Sequence, residues 1–115
     1  MKGVTVSRFV TFFSYTSETW SRLLDNPGDR SGPVGATIAD AGGRLVSLDY
    51  LFGECTGMAV FEAPDSTTAA AVALLIEGSG AFRSVATHEL VSSMELVDVL
   101  RKAAAARPGY ARPGE

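Results

Sequence analysis

The apolar and polar positions change rhythm several times along the chain. From Arg8 to Tyr15 the sequence RFVTFFSY is dense in aromatic and β-branched residues with little alternation, which suits a strand covered on both faces. The period then lengthens. In TSETWSRLLDNP, Trp20, Leu23 and Leu24 fall at i, i+3 and i+4, which predicts a short helix capped by Thr16 or Ser17 and ended by Pro27. The next segment, GDRSGPVGATIADAGG, carries Gly28, Gly32 and Gly35, and a glycine costs about 1 kcal/mol relative to alanine in a helix interior. Even so, Ser31 as a cap, Pro33 in the first turn, Val34 and Ile38 on one face, and Gly42-Gly43 as a stop predict a helix of two turns, short and mobile.

A second strand is expected in RLVSLDYLF, where simple alternation puts Val46, Leu48, Tyr50 and Phe52 on one face and Leu45, Ser47, Asp49 and Leu51 on the other. Gly53 and Gly57 bracket a turn into MAVFE, so these two strands should pair antiparallel. APDSTTAAAVALLIEGSG predicts a helix capped by Asp65 or Ser66, apolar enough to be buried on most sides. In FRSVATHEL, Phe82, Ser84, Ala86, His88 and Leu90 share one side while Arg83, Val85, Thr87 and Glu89 share the other, and which side is buried stays open. Ser92 to Glu95 matches a capping box, and Met94, Leu96, Val97, Val99 and Leu100 predict a last amphipathic helix.

This order of strands and helices is that of an α+β ferredoxin-like βαββαβ fold with a terminal helix. Its antiparallel sheet carries helices on one face only, so the other, rich in Phe, Val and Leu, needs a cover, and a second subunit is the natural one. The domain is expected over residues 1–103, and the Arg/Pro/Gly-rich tail at 104–115 has little to bury and is expected to be flexible or a clasp on a partner.

Composition narrows the function classes. With 115 residues the chain makes one small domain, and its 13 acidic and 10 basic residues are scattered, leaving no basic face for a row of phosphates. Nucleic acid is therefore not an expected partner. The longest nearly apolar run, 69–76, is far short of a bilayer span, so no membrane partner is expected either. A single cysteine, and an N-terminal stretch MKGVTVSRF without an apolar leader core, lead to the expectation of a cytoplasmic protein.

Several short pieces occur together in order: Tyr15-Thr16 with Glu18 after the first strand, Pro27 with Arg30, Gly42-Gly43 before the second strand, Gly53-Glu54 at the turn, Glu62-Ala63-Pro64-Asp65, and Gly80 followed by Arg83-Ser84. Over residues 8–100 this pattern resembles the GYD-domain family. The resemblance implies a dimeric α+β barrel, in which two ferredoxin-like sheets close face to face with the helices outside. Relatives in that superfamily include cofactor-independent oxygenases, lactone isomerases and polyketide cyclases as well as proteins without known chemistry, so fold transfers better than function. One departure lies at the turn. Where the family reads Gly-x-Tyr-Asp, this chain places Cys55 and Thr56 after Gly53-Glu54, losing a phenol and a carboxylate.

Candidate chemistry is sparse. His88 is the only histidine, with an ordinary pKa near 6.5 suited to proton transfer, although it could equally be a strand-edge or core residue. Glu54 could act as a base or be a solvated turn residue. Asp49, on the expected Leu45 and Leu51 side, would have a raised pKa if buried, or could lie at an edge. Arg83 could steady an enolate oxygen or pair with Glu62 or Glu89 across the sheet. Tyr15, Trp20, Tyr50 and Phe52 could wall an apolar pocket together with the glycine-rich segment, or be ordinary core. Cys55 could border that pocket, but it has no basic neighbour in sequence to lower its pKa from about 8.5. No metal-ligand, dinucleotide, Walker-type or nucleophile-elbow motif is present, so no cofactor and no metal are expected. The resulting expectation is a homodimer with a pocket for a small hydrophobic or aromatic molecule, acting as a cofactor-free isomerase, cyclase or oxygenase; the alternative is a ligand-binding or scaffold protein without chemistry.

Overall fold

The structure, a computed structural model, describes residues 6–54 and 56–115. Four strands, β1 (Ser7–Tyr15), β2 (Arg44–Leu51), β3 (Thr56–Ala63) and β4 (Phe82–Leu90), form one sheet in the order β2-β3-β1-β4, with every neighbouring pair antiparallel. Two helices, α1 (Ser17–Asp25) and α2 (Ser31–Ala41), connect β1 to β2, and α3 (Ser66–Glu77) connects β3 to β4. This is the ferredoxin-like α+β arrangement, with β3 inserted between β1 and β2.

Central position explains the composition of β1. Phe9, Thr11, Phe13 and Tyr15 face the helices and are buried, while Val10 and Ser14 on the opposite face are also buried between neighbouring strands. One core cluster joins Phe9 and Phe61 to Ile38 of α2 and to Ala69 and Val72 of α3. A second joins Phe13, Tyr15 and Ala59 to Trp20 and Leu23 of α1 and to Leu48, Tyr50, Phe82 and Val85 of the sheet.

Two register shifts correct the expected faces. Between Leu45 and Ser47 the pairing of β2 with β3 slips at Val46, so Leu45, Leu48 and Tyr50 all pack on the helix side while Val46 is 42% exposed. Asp49 consequently does not lie among buried leucines; it is exposed opposite Met58. Between Ser14 and Tyr15 the pairing of β1 with β4 shifts likewise, which moves Phe82 onto the helix side with Val85 and away from Ser84, Ala86 and His88. An extra residue in one strand inverts every later side chain, and strict alternation cannot register it.

Helix α2 runs 11 residues rather than two turns. Ile38, 2% exposed between the sheet and α3, and the half-buried Val34 supply packing that outweighs the glycine penalty. Its N-cap is Arg30, not Ser31, and the Asp29 carboxylate takes the Ser31 amide at 2.9 Å; Gly42 closes the helix at φ 104°. In α1, Thr16 is the cap, and Trp20 and Leu23 pack while Leu24 is exposed. Helix α3, capped by Asp65, buries only Ala69 and Val72; Leu74 and Leu75 are exposed, so the expected burial on most sides is not found. The last helix, α4 (Ser93–Ala106), has both halves of its Ser92–Glu95 capping box, yet it buries no residue. Its close neighbour is the 3-10 turn Arg107–Gly109 that follows it, and Met94, Val97 and Leu100 are left exposed. Among the described residues no helix is long and apolar enough to cross a membrane.

Candidate ligand cavity

The helix-side surface of the sheet is not fully covered. Between it and the three helices lies a cavity of about 460 Å³, within the range of ordinary small-ligand sites. Thr11, Phe13 and Tyr15 of β1 and Ala59 and Phe61 of β3 form its floor, with Phe82 at the start of β4. Leu23 of α1, Val34 and Ile38 of α2, and Val72, Leu75 and Ile76 of α3 form its sides. A small residue in the floor helps to open this space: Ala59 stands where a larger side chain would project into the gap between sheet and helices.

The polar groups in the wall are few. Thr11 pairs its hydroxyl with that of Thr87 at 2.7 Å, Thr19 donates to the Ala81 carbonyl at 2.8 Å, and Ser79 donates to the Ile76 carbonyl. Thr37 of α2 and two guanidinium groups, Arg22 of α1 and Arg30 at the start of α2, complete the polar lining. Among the described residues no Asp, Glu or His belongs to it.

An aromatic cluster bounds the cavity at the Tyr15 end. The Tyr15 ring meets Trp20 edge-on at 5.0 Å between centroids, and its hydroxyl shares a hydrogen bond with that of Tyr50 at 3.0 Å. Phe13 contacts Tyr15, Tyr50 and Phe82. Phe13 can lie flat over the sheet because its β3 partner is Gly57, where a Cβ would come within 2.1 Å of the ring. Burial, and then the hydrogen bond to Tyr15, push the Tyr50 phenol above the usual tyrosine range, while the positive charge of Arg30 works in the opposite direction.

The residues expected to form the site are distributed unevenly. Tyr15, Trp20 and Tyr50 do come together; Tyr15 reaches the cavity surface, and Trp20 and Tyr50 stand behind it. Phe52 does not join them, because it projects from the turn after β2 and is 89% exposed. Glu54 is exposed in that same turn, and Cys55 lies outside the described residues. His88 sits on the opposite face of the sheet, across from Val10, with its ring 6.2 Å from that of Phe12. Arg83 is exposed at the edge strand. It cannot pair with Glu62, which lies two strands away on β3 and is held by Arg44 at 3.0 Å. His88, Glu54, Asp49 and Arg83 therefore share no common site with the cavity. The glycine-rich segment does contribute to the wall, through Arg30, Pro33, Val34, Thr37 and Ile38, whereas Arg22 of α1 and the α3 side chains Val72, Leu75 and Ile76 were not among the expected site residues. Among the described residues no cluster of three His, Cys, Asp or Glu side chains could hold a metal ion.

A four-stranded antiparallel sheet with helices on one face and an apolar cavity beneath them defines a ferredoxin-like α+β protein. Residues 9–100 match the family model described as the GYD domain, and the chain belongs to that family. No curated protein and no solved structure matches the chain.

Proposed function

We propose that the protein is a homodimer that binds one small hydrophobic or aromatic molecule per subunit in the cavity between sheet and helices. The carrying observation is the cavity itself: about 460 Å³ walled by Phe13, Tyr15, Phe61, Phe82 and the aliphatic sides of three helices. Aromatic walls with few polar groups are how small-ligand sites are commonly built. The described lining is predominantly apolar and aromatic, which supports the binding of such a molecule.

Binding is expected to be visible by native mass spectrometry and thermal shift against aromatic and polyketide-like molecules. Thr37→Trp, which fills the cavity from a half-exposed position on α2, should abolish the bound mass without lowering the melting temperature of the free protein. Binding that survives this substitution would put the ligand elsewhere.

A second, catalytic reading has one observation in its favour. His88 lies beside Phe12 on the sheet face that a second subunit would cover, where closure would give its imidazole a partly dry setting. It describes a cofactor-free isomerase, cyclase or oxygenase, with Glu54, Asp49 or Arg83 contributed through assembly. Unchanged turnover of an identified substrate by both His88→Ala and Glu54→Ala would exclude it. The lone cysteine fits a reducing, cytoplasmic setting for either reading.

A further inference from the structure

The cavity has a chemical polarity that its volume and apolar walls do not explain. Its deep surface is Phe61, Ile38, Ala59 and Val72, all of them at most 5% exposed. Among the described residues the charged groups in its lining are two exposed guanidinium groups, Arg22 within α1 and Arg30 at the N-cap of α2. Arg22 projects from the last turns of α1, where Glu18 holds it loosely at 3.4 Å. Arg30 caps α2 through its backbone and makes no ion pair among the described residues. The acidic residue beside it, Asp29, is already engaged by the Ser31 amide. An apolar interior with positive charge at its edge, and no negative charge in the lining, complements a molecule that is apolar at one end and anionic at the other.

We propose that the occupant is an amphipathic organic carboxylate whose ring system fills the cavity and whose carboxylate is held between Arg22 and Arg30. This rests on the ligand-cavity reading above and adds the charge of the ligand and the residues that select it. Guanidinium suits the task because its planar donors match a carboxylate, and Arg22 within α1 and Arg30 at the N-cap of α2 both belong to the lining. Exposure at the edge leaves the charges solvated when the cavity is empty, so neither arginine carries the desolvation cost of a buried ion.

The test compares 2-naphthoic acid with its neutral isostere 2-naphthamide, followed through Trp20 fluorescence and calorimetry at pH 7. The acid is expected to bind roughly tenfold more tightly than the amide, the scale of one charge-assisted contact in a solvated setting. Arg22→Gln/Arg30→Gln should bring acid affinity down to that of the amide while leaving the circular dichroism spectrum unchanged, since both side chains are exposed. Glu18→Gln, which frees Arg22, should strengthen acid binding, and added salt should weaken it. Equal binding of acid and amide would overturn the carboxylate proposal and leave the ligand cavity standing. An acid preference that persists in the double variant would overturn the assignment to these arginines. Binding of neither probe at millimolar concentration would remove both readings.

Discussion

At the residue scale, the aromatic cluster depends on a glycine more than on any aromatic. Gly57 lies opposite Phe13, and an added Cβ would have to displace the ring that contacts Tyr15, Tyr50 and Phe82. Gly57→Ala is expected to destabilise the fold by about 1–3 kcal/mol through overpacking, measurable by urea denaturation, and to distort the Tyr15 end of the cavity. Tyr50 gives a pH signature. Its phenol is held neutral by burial and by Tyr15 above the range of an unfolded tyrosine. A raised folded-state pKa gives stability that is complete below the unfolded value, near 10, and that fades as pH rises through the folded value. Stability should therefore fall less steeply above about pH 10 in Tyr50→Phe than in the unmodified protein, as followed by denaturation at stepped pH. Phe52 and Glu54, in the turn after β2, both face solvent and do not line the cavity.

At the element scale, α2 forms against its own composition. Gly35 sits mid-helix with its nearest foreign atom, a Leu45 methyl, 3.8 Å from where a Cβ would be, an ordinary van der Waals contact. Gly35→Ala is expected to raise stability by about 0.5–1 kcal/mol, read as a higher melting temperature, by restoring helix propensity without a clash. An unchanged or lowered melting temperature would mean that the loop and helix over the cavity depend on that glycine. Element types were legible from period and capping: Thr16, Asp65 and Ser92 all cap the helices that their positions predict. Faces were less legible. The slips at Val46 and at the Ser14/Tyr15 step come from strand pairing, and neither has a local sequence signal such as a glycine or proline at the bulge.

At the scale of the whole molecule, the uncovered surfaces matter most. The sheet face away from the helices presents Phe12, Met58 and Val60 half-buried, and α4 presents Met94, Leu96, Val97 and Leu100 without burying any of them. The Cα radius of gyration is 17.9 Å. A compact chain of this length would have about 13 Å. A second copy closing over the sheet is the proposed cover, as the resemblance to dimeric α+β barrels implied. Val60→Glu is expected to convert a dimer to a monomer in sedimentation velocity while leaving the helix-side core of the isolated subunit folded. A wild-type chain that sediments as a monomer would set the dimer aside.

What the sequence determined by itself is the list of elements, their order, the ferredoxin-like class and the family, because helix period, strand composition and caps are local and the order of elements admits few topologies. It also singled out Tyr15, Trp20 and Tyr50 as an aromatic group, which the fold does assemble. Only the tertiary structure decided which residues surround the cavity. His88 and Phe12 are carried to one face of the sheet and Phe13 and Phe82 to the other by register and bulges, and Arg22 and Arg30 meet the same cavity because two helices cross one sheet. Those placements depend on pairing between distant segments, and a pattern read along one segment holds no term for them.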